Sequence, residues 1–248
     1  MKKGLLVIMT GVMLFASLTI VNAESQSDTI TNRSGVVIPI EKYNALKSIY
    51  SNNFMEFMTQ DQYDIIKDKD LSKVEIMETT DEDLNSSGIR PQTTEYTTTS
   101  KSLRIINNGG YITMSLSWLK VPSIKKYDVM AFRLNSSVTR TSDYAFRQYY
   151  IANDALQAST ATYPLDFDNG SGVTFKVKSG TDHQMELSFY VTGTGRVYGS
   201  YQHACNSSAT LANAMDYIIS GSGYGGVILF NERIESKFDG MGGVYLTI

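Results

Sequence analysis

Asn107-Asn108-Gly109-Gly110-Tyr111-Ile112-Thr113-Met114-Ser115-Leu116-Ser117-Trp118 is the stretch that decides the fold class. Its first half is a turn signal: Asn-Gly between two alternating runs is the strongest short-range mark of a β-hairpin. Its second half alternates without a break. Ile112, Met114, Leu116 and Trp118 share one face of a strand, and Tyr111, Thr113, Ser115 and Ser117 share the other. Side chains of a strand point alternately to opposite faces, so this pattern predicts one apolar, buried face and one half-wet face. Upstream, Leu103-Arg104-Ile105-Ile106 supplies the partner strand.

The same period continues downstream. Pro122 ends the strand, and Tyr127 to Leu134 reads as the next. Residues 135–171 read as irregular. Val173, Phe175 and Val177 then face one way, and Ser179-Gly180-Thr181-Asp182 turns into Met185, Leu187, Phe189 and Val191. A turn at Thr192-Gly193-Thr194-Gly195 leads into Val197 to Ala204, and further strands are expected at Val227 to Asn231 and Val244 to Ile248. Tyr217 to Ser220 reads as a strand, with a short helix over Leu211 to Ile219 nearly as good. About eight to ten short strands with turn signals at regular spacing predict a mainly β chain, an antiparallel β-sandwich (jelly-roll-like) over residues 95–248.

The segment before it is different. Residues 24–36 are polar and read as disordered, and residues 37–78 read as short helices plus a possible strand at Lys73 to Glu78. Thr59-Gln60-Asp61-Gln62 is a capping box, which opens a helix over about Gln60 to Lys67 with Tyr63 and Ile66 turned inward. An earlier helix is expected over Glu41 to Tyr50, burying Leu46, Ile49 and Tyr50, with one more turn within Asn52 to Phe57. Such short helices need tertiary support. Residues 79–94 are acidic, Ser-rich and interrupted by Gly88 and Pro91, the composition of a linker or long loop.

Met1-Lys2-Lys3, the apolar run Gly4 to Val21 and the small-residue site Val21-Asn22-Ala23 form a secretory signal peptide, cleaved after Ala23. The expected location is extracellular. Cys205 is the single cysteine, so no internal disulfide is available to the chain. A cysteine-poor exported chain with this leader reads as Gram-positive. The formal net charge is −3, with no basic block, which argues against nucleic acid as a partner.

Chemistry is hard to place. His183 and His203 are the only histidines, the first expected in an exposed turn and the second on a strand. His203-Ala204-Cys205 looks like a fragment of a metal or thiol site, but no CxxC or HExxH spacing accompanies it. Asp166-Phe167-Asp168-Asn169-Gly170 resembles the start of a calcium loop with its glycine one position early and no closing glutamate. Gly221-Ser222-Gly223-Tyr224-Gly225-Gly226 precedes a strand, so it lacks the helix N-terminus a dinucleotide needs. No catalytic residue, no metal ligand and no cofactor is assigned. The candidate recognition surface is the aromatic-rich segment 135–168, with Tyr144, Arg147, Tyr149, Tyr150 and Tyr163 as ligand-binding candidates.

One resemblance spans most of the mature chain. Met58, Thr59 and Tyr63, then Ser115-Leu116-Ser117-Trp118 before Tyr127-Asp128-Val129, then Gly225-Gly226-Val227 and Asp239-Gly240-Met241-Gly242-Gly243-Val244, make it similar to a group of uncharacterised exported proteins of Gram-positive bacteria. The resemblance implies location and no activity. The leading expectation is a secreted, non-enzymatic module that binds a glycan or protein at a cell surface. The alternatives are a membrane-active, pore-forming-like protein, for which the tyrosines are the lipid contact, and an extracellular hydrolase built on His203 or Cys205.

Overall fold

The computed structural model describes residues 28–50, 52–71, 79–80, 95–97, 100–221, 227–240 and 243–248. The leader, the expected strand at 73–78, most of the 79–94 linker and residues 222–226 of the glycine-rich stretch lie outside these residues. The chain begins with β1 (Thr29–Thr31), β2 (Val37–Pro39), α1 (Ile40–Lys47), α2 (Asn52–Phe57) and α3 (Gln60–Ile66). Then come β3 (Thr79–Thr80), β4 (Glu95–Thr97), β5 (Lys101–Asn108), β6 (Tyr111–Trp118), β7 (Tyr127–Leu134), β8 (Val138–Arg140), β9 (Ala145–Ala152) and β10 (Ala155–Ser159). The chain continues with β11 (Tyr163–Phe167), β12 (Gly170–Lys176), β13 (Thr181–Gly193), β14 (Arg196–Ala204) and α4 (Leu211–Met215). It closes with β15 (Tyr217–Ile219), β16 (Ile228–Phe230), α5 (Glu232–Glu235), β17 (Phe238–Gly240) and β18 (Val244–Thr247).

Two large sheets form the body, antiparallel apart from the short β3–β4 contact. The first runs β10-β9-β13-β6-β5-β4-β3, with β8 also on β13. The second runs β11-β12-β7-β14-β17, with β18 also on β14. The hydrophobic core lies between them. Leu103, Ile112, Met114, Leu116, Leu187 and Phe189 of the first sheet meet Met130, Phe132, Val173, Phe175, Val197 and Leu246 of the second. Aromatic pairs tie the layers: Phe132 stacks on Phe189 at 3.9 Å between ring centroids, and Phe146 meets Phe175 at 4.5 Å. Such a pair adds about 0.5–1.5 kcal/mol beyond the area it buries. The protein is a β-sandwich.

The β5–β6 hairpin closes as the sequence predicts. Asn108 opposes Tyr111, and the two central residues Gly109 and Gly110 have φ of 60° and 86°. That is the geometry of a two-residue type I′ turn. Asn107 Oδ1 accepts from the Gly110 N–H at 2.8 Å, and the Gly110 carbonyl accepts from Val191 N–H at 2.8 Å. A Cβ on Gly110 would stand 2.8 Å from the Val191 carbonyl oxygen. Gly110→Ala is therefore expected to cost about 1–2 kcal/mol, through the left-handed backbone and this contact. Urea unfolding measures it, and a loss under a few tenths of a kcal/mol refutes the turn assignment.

Three expectations are corrected. Residues 29–39 form an antiparallel hairpin with Ile30 opposite Ile38, where the polar composition suggests disorder through 36. Asn32 organises it: its side-chain amide donates to the carbonyls of Met55 and Met58, and its Oδ1 accepts from Val36 N–H. Segment 135–171 is largely β-structure, from β8 to β11. Its β9–β10 hairpin turns at Asn153 and Asp154, with φ of 52° and 58°. Asn and Asp tolerate that left-handed region, so the two carry the turn without glycine. Finally, the Tyr111, Thr113, Ser115 and Ser117 face of β6 is not half-wet, since all eight residues of β6 are buried.

The covering explains the last point. Helices α1 to α3 lie over the outer face of the first sheet. The Thr59 cap of α3 is reciprocal: Thr59 Oγ1 accepts from Gln62 N–H, and Gln62 Oε1 accepts from Thr59 N–H. Over the outer face of the second sheet lies the C-terminal section. Ala214, Tyr217, Ile219, Ile228 and Phe238 pack there on Val129 and Ala131 of β7. Leu211 to Ile219 resolves its double reading by being both, helix α4 and then strand β15. Among the described residues, no helix is long and apolar enough to cross a membrane.

Candidate functional site

A cleft opens at one end of the sandwich. It holds about 820 Å³ and is walled by the β7–β8 connection, the β11–β12 turn and Gly221. Arg133 is at the end of β7, and its guanidinium lies over the Tyr198 ring at 4.1 Å and donates to the Ser220 carbonyl at 3.0 Å. Arg140, from β8, reaches in from the other side. Its Nη1 donates to Ser171 Oγ at 2.9 Å and lies 3.6 Å from Asp166 Oδ1. Ser171 in turn donates to Asp166 Oδ1 at 2.5 Å. The Phe132 and Tyr144 rings flank the Arg140 guanidinium at 5.9 and 5.1 Å. These contacts fix both arginines in place. Asp168 and Asn169, at the turn, complete the polar wall.

The wall therefore carries two guanidinium and two carboxylate groups, which balance. A cleft of this size lies within the range of small-ligand sites. Planar polar side chains held rigid, with no net charge, suit a ligand rich in hydroxyl or amide groups better than an ion. The calcium-like run Asp166 to Gly170 is the β11–β12 hairpin and its turn, with Phe167 opposite Gly170. Asp166 is used by Ser171 and Arg140 instead. Among the described residues no group of three or more His, Cys, Asp or Glu is placed to hold a metal.

The five candidates from the aromatic-rich segment do not share one site: Arg147 and Tyr149 line a second cleft of about 490 Å³ with Arg33 and Thr59, and the other three lie elsewhere. Tyr149 and Tyr150 are neighbours on β9 and point to opposite faces. Tyr149 is 1% exposed and stacks under Phe57 at 5.8 Å, and burial pushes its hydroxyl well up. Tyr150 lies beside His183, with ring centroids 6.3 Å apart. Arg147 shares the Tyr149 face and stands 4.0 Å from Asp61. Tyr163 is exposed on β11, edge-on to Tyr127. Only Tyr144 adjoins the end cleft, through Arg140, and partial burial raises its pKa. Composition could flag the segment, but only strand pairing tells which face each ring takes.

Comparison with known proteins adds little. No family model matches the chain, and no curated protein matches it. Among solved structures, the chain is similar to the crystal structure of ACE19, the collagen binding subdomain of Enterococcus faecalis surface protein ACE. The likeness has 10% identity and a TM-score of 0.29, and covers 39% of this chain and 77% of that one.

The histidines occupy the interior. His183 is not in an exposed turn: it sits at the bulge of β13, fully buried, with Nε2 3.0 Å from the Gly180 carbonyl. Loss of water lowers its pKa. His203 is buried on β14, with Nδ1 3.0 Å from Asp128 Oδ1. The Asp128 carboxylate also accepts from the Tyr201 hydroxyl and from Ala204 N–H at 3.0 Å. Beside it, Lys101 is 1% exposed; its ammonium lies 2.5 Å from Asp239 Oδ2 and over the Trp118 ring at 5.4 Å. Trp118 meets His203 edge-on at 4.7 Å. These groups plug one end of the core with a polar network centred on Asp128. Cys205 is exposed, next to this plug.

Proposed function

We propose that this chain is an exported, non-enzymatic binding protein of a Gram-positive cell, and that it holds a surface saccharide in the end cleft. The leader supports export. One observation carries the binding reading: the cleft of about 820 Å³ whose two arginines are clamped by Tyr198, Ser220, Ser171 and Asp166. Preorganised polar groups spare a ligand the entropy of ordering them, which is how a small site gains affinity. The ligand's hydroxyls would pair with Arg140, Asp166, Asp168 and Asn169. A protein partner is the other class the fold accommodates, and the same experiment separates the two.

The test is binding of the mature chain to a glycan array and to intact Gram-positive cells, with Asp168→Ala and Arg140→Ala. Asp168 is exposed, so its loss leaves the fold intact. A charge-assisted hydrogen bond contributes about 1.5–3 kcal/mol, so each variant is expected to weaken binding roughly tenfold or more. Saturable glycan binding that both variants leave unchanged removes the cleft as the site. Binding to cells that survives removal of surface glycans points to a protein ligand and overturns the saccharide.

A further inference from the structure

Three features of the α1–α3 layer belong together. First, its apolar cluster is nearly self-contained. Leu46, Phe54, Met55, Met58 and Ile66 pack among themselves and with β2, and among the described residues the sandwich contributes only Ile106. Second, the joins to the sheet are mostly polar: Arg104 Nη1 donates to the Ile49 carbonyl, Asn108 to the Tyr50 hydroxyl, and Gln62 to Glu186. Third, polar atoms of the sheet face beneath are orphaned. Among the described residues, Ser115 Oγ and Gln184 Oε1 are buried without a hydrogen-bond partner. Each such atom recovers water when the layer lifts, which lowers the cost of opening.

At the centre of this interface sits a carboxyl group. Glu186 is 2% exposed and accepts from Gln62 of α3 and from Gln184 Nε2 at 2.8 Å. Among the described residues no cation stands within ion-pair distance of it. Arg147, across the strand pair on β9, leans to Asp61 of α3 at 4.0 Å. The other titratable groups around it are hydroxyls: Tyr149 of β9, Tyr111 of β6 and Tyr50 of the α1–α2 connection.

We propose that residues 28–71 form a pH-responsive cover on the first sheet, held shut over a protonated Glu186 and released as Glu186 ionises. Closing the layer over an ionised carboxylate strips it of water and leaves it two neutral amides and the more distant charge of Arg147, which do not make up the loss. Opening returns it to solvent. Burial accordingly lifts the Glu186 pKa from 4.5 to about 7, which puts the transition in the physiological range. The cover is on the sheet opposite the Arg133 wall of the cleft, so the proposal stands apart from the ligand reading.

The test is amide hydrogen exchange on the full mature chain at pH 5, 6.5 and 8, corrected for intrinsic base catalysis. With opening linked to a carboxyl titrating at 4.5 when open and about 7 when closed, exchange of residues 40–66 is expected to rise roughly seventyfold from pH 5 to pH 8. The β7 and β14 amides of the second sheet should not follow. Glu186→Gln, and independently Glu186→Leu, should flatten the dependence. Equal protection of 40–66 at both pH values overturns the proposal, as does parallel loosening of β7 and β14. The wild-type profile decides even where a variant fails to fold.

Discussion

Asp128→Ala is expected to cost about 3–5 kcal/mol, the range for removing one partner of a buried charged network. The carboxylate is completely buried on β7 and serves three donors: the Tyr201 hydroxyl, His203 Nδ1 and the Ala204 backbone N–H. Removing it orphans all three in a place water does not reach, and the penalty for a buried unmade hydrogen bond exceeds the gain from making one. A cavity between β7 and β14 adds to the loss. Asp128→Asn keeps the shape and one acceptor oxygen, so it should cost less. Denaturant midpoints at constant m-value measure both. An alanine variant within 1 kcal/mol of wild type would show that Tyr201 and His203 find other acceptors, and would refute the network.

The second large effect has the opposite sign. Glu186→Gln is expected to stabilise the protein by about 3 kcal/mol at pH 8 and hardly at all below pH 4.5. The folded carboxyl titrates near 7 and the unfolded one near 4.5, with desolvation the leading cause and the Gln62 and Gln184 hydrogen bonds opposing it. Between those values the unfolded chain has released the proton and the folded chain still holds it. Wild-type stability therefore falls as pH rises from 4.5 to 7, then levels. Glutamine is the permanently neutral analogue and fits the site: its oxygen accepts from Gln62, and its amide donates to Gln184 once that side chain turns its orphaned Oε1 inward. Urea unfolding at pH 5 and pH 8 reads the difference. A variant whose stability parallels wild type at both pH values would mean that Glu186 is ionised in the native state throughout.

Much of the sandwich is readable residue by residue. The β5–β6 hairpin was legible because Gly109 and Gly110 supply the positive φ that a two-residue turn demands and the flanking period is two. The inward set Ile112, Met114, Leu116 and Trp118 is the set found in the core. The β9–β10 hairpin was equally written, in Asn153-Asp154, but its flanks do not alternate cleanly and it reads as loop. The cleft was not legible. Its Arg133, Arg140 and Asp168 come from three separate strand ends, and no spacing in the chain joins them. The aromatic-rich segment shows the complementary limit: Tyr149 and Tyr150 are adjacent in sequence and on opposite faces of one strand.

By itself, then, the sequence determined what a residue and its near neighbours control: strand period, the glycine turn, the Thr59 cap and the composition of a β chain. These depend on backbone sterics and local hydrogen bonds, which act over a few residues. Long-range packing is what covers both outer faces of the sandwich, buries Ser115 and Glu186, and brings Asp128 to Tyr201 and His203 across 73 and 75 residues of chain. A serine or a glutamate looks the same in sequence whether water or a helix lies over it. Its burial is set by what the rest of the chain lays on top.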